Sequence, residues 1–353
     1  MKIKFFCHIV FVSTILFVSC RPEVIFISPA DPGIQYTGRI DFSDPANPVF
    51  MYSGVSIRAA FTGTSASIIL KNDSSFNHFN VSLDTIEFVL KTRREDTLYR
   101  LAENLPNTSH RLEITRITEW HGGNTVFGGL KIDGRGLVPV YGKKHRIEFI
   151  GNSITCGYGT EGKSREEHFT YETQNCLHTY AANTAKKLGA DFMLVCRSGI
   201  GMYQSYGGDT SFAMPLLYEE IISGSPVKWN FENFLPDVVV IELGANDLSS
   251  KVDSARFARA YLGFLKKLRS YYPSAKIVCI SGPGSIGDEA GNTKWANLVS
   301  SAATAGSETL NNLYYYPMEA VEHNGSDWHP SAAEHEILSV NLTEYLRSLM
   351  NWQ

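Results

Sequence analysis

The sequence predicts an antiparallel β-sandwich followed by an α/β unit, a parallel sheet with helices on both faces. Three observations carry this reading. From about Gly33 to Pro139, short runs such as SGVSIRAAF, TSASIIL, NHFNVSLD, TIEFVLK and HRLEITRITE place apolar residues at every second position. Such alternation marks strands buried on one face. Second, the runs are separated by Gly, Asn, Asp and Ser, and no helical periodicity interrupts them. Third, the rhythm changes near residue 140, and from His145 strand-like and helix-like segments alternate, the pattern of a parallel sheet. A chain of 353 residues is comfortable for two such domains. The expected division is 1–20 as an export signal, 21–140 as the sandwich and 141–353 as the α/β domain.

The first segment begins with Lys2 and Lys4 and continues with an apolar core from Ile9 to Val18, broken only by Ser13 and Thr14. The core is short for a membrane span, and a small residue precedes Cys20 in Phe17-Val18-Ser19-Cys20. This arrangement resembles a bacterial lipoprotein signal, in which Cys20 is lipidated and becomes the new N-terminus. The protein is then exported to the cell envelope, at the periplasm or outer surface, and touches a membrane only through that lipid. A plain secretory signal with an incidental cysteine is the alternative.

Within the sandwich, Gly122-Gly123-Asn124 and Gly128-Gly129 are turn or bulge positions. In the second half, RIEFIG is a strand, TYAANTAKKLGA a helix ending at Gly189, DFMLVCRSG a strand and PDVVVIELGAND another. Ser254 to Tyr271 is an amphipathic helix stopped by Pro273, AKIVCISGPG a further strand, and Thr293–Leu313 and Ala332–Met350 the last helices. Besides Cys7 and Cys20, the cysteines are Cys156, Cys176, Cys196 and Cys279. Two bridges in any of three pairings are open to them, although Cys196 and Cys279 close apolar runs where buried thiols fit better. No CxxC pair or Cys/His spacing suggests a metal. With 32 basic and 36 acidic residues and a net charge of −4, the chain offers no basic face for nucleic acid.

Ligands of open α/β sheets bind at the carboxyl ends of the strands. Three strand ends here deliver Gly151-Asn152-Ser153-Ile154-Thr155, Arg197-Ser198-Gly199-Ile200-Gly201 and Gly244-Ala245-Asn246-Asp247, and Asp327-Trp328-His329-Pro330 precedes the last helix. Acyl transfer needs a hydroxyl nucleophile, an imidazole to take its proton and donors aimed at the developing oxyanion. A serine in a Gly-Asn-Ser turn is ordinarily a cap, and Asn246 alone could be a turn residue. Their joint order along successive strand ends is what points to chemistry.

GNSIT, SGIG, GAND and DWHP resemble the four blocks of the SGNH (GDSL-type) hydrolases, from about residue 145 to the end. A β-sandwich ahead of such a domain, and the string GNSITCGYG, are similar to carbohydrate esterase family 2, whose members remove acetyl groups from plant polysaccharides. The resemblance implies a flavodoxin-like sheet after a jelly-roll-like sandwich. It also implies Ser153 as nucleophile, His329 as base, and an oxyanion hole of the Ser153 and Gly199 N–H groups with the Asn246 amide. No cofactor is implied. The implied partner is an acetylated oligo- or polysaccharide such as xylan or glucomannan, attacked at a primary hydroxyl. A lipid or thioester hydrolase and a non-catalytic surface glycan-binding lipoprotein are the competing readings.

The chain departs from that pattern twice. The common first block has Asp where Asn152 stands. The usual acid lies three residues before the histidine, but Ser326 is there and Asp327 is two before. Asp327 is expected to complete a triad with His329; a backbone carbonyl orienting the imidazole in a dyad, or Asp327 capping the last helix, are the alternatives. Trp328, adjacent to the base, is the expected sugar-stacking residue, with Tyr158, Tyr203 and Trp120 in other glycine-rich loops. His168, His178 and His323 have no comparable context and read as structural or surface residues.

Overall fold

The computed structural model describes residues 24–353. The segment expected to be an export signal, with Cys20, lies outside the described residues. The first unit comprises β1 (Val24–Ile27), β2 (Gln35–Thr37), β3 (Val49–Phe50), β4 (Ser56–Asn72), β5 (His78–Leu83), β6 (Ile86–Lys91), β7 (Leu98–Ala102), β8 (Thr108–Arg116) and β9 (Thr125–Val138). They pair antiparallel in the order β1-β9-β4-β8-β5-β6, with β2 and β7 on β4 and β3 on β9. β4 changes partner midway: one edge meets β8 and then β7, the other β2 and then β9. The alternation read from its sequence puts Phe61, Ala66, Ile68 and Leu70 inside. Register shifts where Ile69 faces Gly129 and Leu70 faces Phe127 leave Gly128 as an inserted residue, a bulge that bends the sheet. At a second bend β4 and β9 cross so closely that a Cβ on Gly134 would lie 2.0 Å from the Thr62 carbonyl oxygen. Only glycine fits there.

The second unit contains β10 (His145–Gly151), α1 (Ser153–Cys156), α2 (Tyr180–Lys187), β11 (Ala190–Cys196), α3 (Met214–Leu217), β12 (Val238–Glu242), α4 (Ser254–Tyr271), β13 (Lys276–Ser281), α5 (Glu289–Ser307), β14 (Leu313–Pro317) and α6 (Ala332–Met350). Its five strands are parallel, in the order β11-β10-β12-β13-β14, a flavodoxin-like arrangement that reverses direction around β10. Apolar residues on both sides of each strand account for helices on both faces. Val239 and Ile241 pack with Phe257, Phe264 and Val299, whereas Val238 and Val240 pack with Ala185, Leu338 and Leu342. One expectation is corrected. The helix expected over Thr293–Leu313 runs from Glu289 to Ser307, and Leu313 opens β14. Asn312 at φ +56° makes the intervening turn. The four cysteines after Cys20 are all free and buried.

The two sheets are joined by buried polar contacts. Arg39 Nη2 lies 3.6 Å from Glu148 Oε1 with both side chains fully buried, and the Tyr218 hydroxyl donates to that carboxylate at 2.9 Å. Arg58 pairs with Asp191 at 2.8 Å. Arg116, wholly buried at the end of β8, donates to the carbonyls of Thr118, Glu119 and Gly123 and to Asn77 Oδ1. It thereby fixes the turn from Ile117 to Asn124, which leans against the second unit. Burial lowers the Arg116 guanidinium to about 9.

Candidate active site

The turn over residues 151–155 follows β10. Asn152 caps α1, its Oδ1 accepting the Ile154 N–H at 2.8 Å, so Ser153 starts the helix with its N–H free of intrahelical pairing. Ser153 Oγ lies 2.9 Å from His329 Nε2. The other ring nitrogen, Nδ1, is 2.9 Å from the backbone oxygen of Asp327. A carbonyl can only accept, so Nδ1 carries the proton and Nε2 turns a lone pair toward the serine hydroxyl. Tyr158 packs on the imidazole at a centroid distance of 4.4 Å and is itself stacked on Phe169 at 4.0 Å. Burial holds His329 below its ordinary value of 6.5, which favours the neutral base.

Asp327 departs from the expected placement. Its carboxylate does not face His329; it accepts from the Tyr158 hydroxyl at 3.0 Å, His168 Nδ1 at 3.0 Å and the Phe169 N–H at 2.9 Å. Burial works to raise this carboxyl, but the bonds from His168, Phe169 and Tyr158 outweigh it and leave it lowered. The physical cause is local backbone geometry: Asp327 at φ +49° and Trp328 at φ +58° are both left-handed, which aims the 327 carbonyl at the imidazole and its side chain away. The imidazole is therefore oriented by the 327 carbonyl and not by the carboxylate. Asp327 does not cap α6 either, because Ser331 and Glu334 form the capping box there. His323 bridges the carbonyls of Trp328 at 3.0 Å and Gly284 at 3.2 Å, bracing the same turn.

The SGIG loop, with Gly199 at φ +78°, leaves β11 at Cys196, which stands in register with Gly151 at the end of β10. Among the described residues neither the Ser153 nor the Gly199 N–H has a protein acceptor. Asn246, after β12, donates one amide hydrogen to the Ile200 carbonyl at 2.8 Å and keeps the second. Its neighbour Asp247 accepts the N–H groups of Met202 and Tyr203 at 2.8 Å and Gln204 at 3.0 Å, clamping the two loops together. Burial pushes Asp247 up while those three bonds pull it down.

Sequence reasoning missed the contribution of the first sheet. Glu119, buried in the turn that Arg116 fixes, accepts from the Ser198 N–H at 2.8 Å, the Ser198 hydroxyl at 2.5 Å and Gln174 at 3.0 Å. Ser198 precedes Gly199, so a residue from the first unit holds the SGIG loop. Trp120 beside it stacks on the Arg197 guanidinium at 3.3 Å, with Phe212 also packed on that guanidinium at 4.0 Å. Trp120 thus clamps Arg197. Trp328 is 60% exposed, with Arg165 at 4.8 Å from its ring, and Tyr206, 74% exposed, donates its N–H to Gly199. Tyr203 is partly buried against the core.

Fold and constellation define a GDSL-like acylhydrolase domain, and the model described as the GDSL-like Lipase/Acylhydrolase family matches residues 149–337. A second model, Carbohydrate esterase 2 N-terminal, matches residues 36–140. The chain belongs to family 2 of the carbohydrate esterases. It is 30% identical over 336 residues to an acetylxylan esterase / glucomannan deacetylase of Cellvibrio japonicus, covering 92% of this chain and 91% of that protein. It is 33% identical to the cellulase/esterase CelE of Acetivibrio thermocellus, where the match covers 91% of this chain but 40% of that relative's length. A family two carbohydrate esterase from Clostridium thermocellum, solved in complex with cellohexaose, superposes with a TM-score of 0.86 at 33% identity, covering 91% of this chain and 100% of that one. Another, from Cellvibrio japonicus, superposes at 0.87 and 25% identity, covering 94% and 99%.

Proposed function

We propose that this chain is a carbohydrate O-acetylesterase acting on acetylated oligo- or polysaccharides such as xylan and glucomannan, through a Ser153–His329 dyad. The observation that carries the reading is the 2.9 Å approach of His329 Nε2 to Ser153 Oγ, with Nδ1 held by the Asp327 carbonyl. Ser153 Oγ attacks the acetyl carbonyl carbon while its proton passes to Nε2. The resulting imidazolium is stabilised by the 327 carbonyl dipole. The oxyanion meets the N–H groups of Ser153 and Gly199 and the free amide hydrogen of Asn246, each such donor worth about 3 kcal/mol in the transition state. Collapse breaks the bond to the sugar oxygen, which leaves with the proton from Nε2. Water then attacks the acetyl-enzyme with His329 again as base, releasing acetate and restoring Ser153. The exposed face of Trp328 offers a stacking surface for the leaving sugar. The names of the relatives support this substrate class. Lipidation at Cys20 would tether the enzyme to an envelope membrane, close to polymeric substrate.

Acetate release from acetylated xylan and glucomannan, compared between the wild type and Ser153→Ala, tests the proposal. Release that depends on Ser153 supports it; no release, or release unchanged in the variant, refutes it. Aryl acetate and aryl octanoate run in parallel separate an acetylesterase from a lipid hydrolase, which would prefer the longer chain.

A further inference from the structure

Beneath the nucleophile turn lies a fully buried polar cluster that the acyl-transfer steps leave unused. Glu242 ends β12 and stands in register with Gly151, the last residue of β10. Gly151 leaves it room, because a Cβ there would meet Thr155 Oγ1 at 2.0 Å and Glu242 Oε2 at 3.2 Å. The Asn152 amide donates to Glu242 Oε1 at 2.8 Å, while its own oxygen caps the Ile154 N–H. Thr155 donates to Glu242 Oε2 at 3.1 Å and lies 2.9 Å from the Tyr180 hydroxyl. Asn152 is 1% exposed, and Glu242, Thr155 and Tyr180 are 0% exposed.

Resting on the proposed role of Ser153, we infer that Glu242 is a positioning residue: its carboxyl requires an amide at position 152, and the pair sets the nucleophile turn. Residue 152 must accept from Ile154 N–H and must also face a carboxyl 2.8 Å away. Asn does both, with one oxygen and one NH₂. An aspartate side chain supplies the acceptor but no donor, so two carboxyl groups, one at position 152 and that of Glu242, would have to share a proton in a buried space. That explains the chain's departure from the common first block, since the acid this position usually carries is already provided by β12. Burial pushes Glu242 up to about 8, against the bonds from Thr155 and Asn152. The other titratable groups near it are Tyr180 of α2 and Tyr261 of α4, both pushed up by burial first and by the Glu242 charge as well. Among the described residues no cation pairs with Glu242.

The test is a charge swap. Asn152→Asp should lower kcat on an aryl acetate by about tenfold or more, mid-range for coupled neighbours, with KM little changed. The loss should deepen as pH rises, because the shared proton is then removed. Adding Glu242→Gln should restore most of the rate: the amide introduced on β12 donates to the new carboxylate, which still caps the Ile154 N–H. An Asn152→Asp variant as active as wild type, or a double variant no better than the single one, overturns the inference. If the single variant does not fold, recovery of a folded, active double variant supports the pairing, and its failure to recover overturns it. Each background is also made Ser153→Ala. Activity surviving that change would refute the Ser153 mechanism itself, whereas a failed swap with Ser153-dependent activity refutes only the pairing.

Discussion

Replacing Asp327 by Asn separates a carbonyl-oriented dyad from a carboxylate triad. In a triad whose carboxylate grips Nδ1, the Asp-to-Asn change costs about 10⁴ in kcat because the wrong tautomer is selected. Here Nδ1 sits 2.9 Å from the Asp327 backbone oxygen, which the substitution leaves in place. The side chain instead gathers Tyr158, His168 and the Phe169 N–H. Asn keeps one oxygen for the Tyr158 hydroxyl and the Phe169 N–H, turns its NH₂ toward His168 Nδ1, which as a neutral ring can accept, and tolerates the left-handed φ of +49°. What is lost is the charge on those bonds, about 1 kcal/mol when a charged acceptor becomes neutral. If all of it reached the transition state, kcat would fall about fivefold. Steady-state hydrolysis of an aryl acetate at neutral pH, with melting temperatures measured in parallel, gives the answer. A thousandfold loss at unchanged melting temperature would show that the carboxylate reaches the imidazole during turnover, and the dyad reasoning would fail.

Other expectations follow from the same geometry. His329 must be neutral to act and is held below its ordinary 6.5, so kcat/KM should rise with pH to a plateau with its midpoint below that value; a midpoint above it counts against the burial argument. Glu119→Gln keeps the size of the side chain but cannot accept from both Ser198 groups and Gln174 at once. It should lower kcat by about tenfold to a hundredfold, short of losing a whole oxyanion donor, and an unchanged kcat would remove Glu119 from the site. His335 is buried, accepts the Tyr180 N–H, and is lowered by burial to about 3. The unfolded chain therefore takes up a proton below pH 6.5 that the folded one refuses, and stability should fall between pH 6.5 and 3 by up to about 1.4 kcal/mol per pH unit from this group. Urea midpoints across that range, with His335→Gln flattening the slope, check it.

Much of the architecture was readable because it is written in periodicity. Period-two runs marked the first sheet, and the apolar stretches VVVI and IVCI marked strands covered on both faces. β14 escaped because Leu-Tyr-Tyr-Tyr-Pro lacks alternation and follows a helix without a proline; the Asn311-Asn312 pair was the available stop signal. In the candidate site, Ser153, Gly199, Asn246 and His329 could be singled out because each sits at a strand or helix end. The orientation of Asp327 could not be read, since two successive left-handed residues are a dihedral fact that spacing does not encode. Glu119 and Glu242 were invisible for another reason. Their partners lie 79 and 90 residues away in the chain: packing of the first unit on the second brings Glu119 to Ser198, and pairing of β12 with β10 brings Glu242 beneath Asn152.

The turn fixed by Arg116 has a consequence for how this architecture can be taken apart. Because Glu119 reaches across to Ser198, the first unit braces the loop after β11 and is more than a neighbouring module. A catalytic half expressed without it would leave the Ser198 N–H and hydroxyl without their Glu119 acceptor. Chimeras between relatives face the same constraint. A crossover placed in the connection near residue 140, although it cuts no strand, parts Glu119 from Ser198, so shuffled halves work together only when both parents agree on that contact.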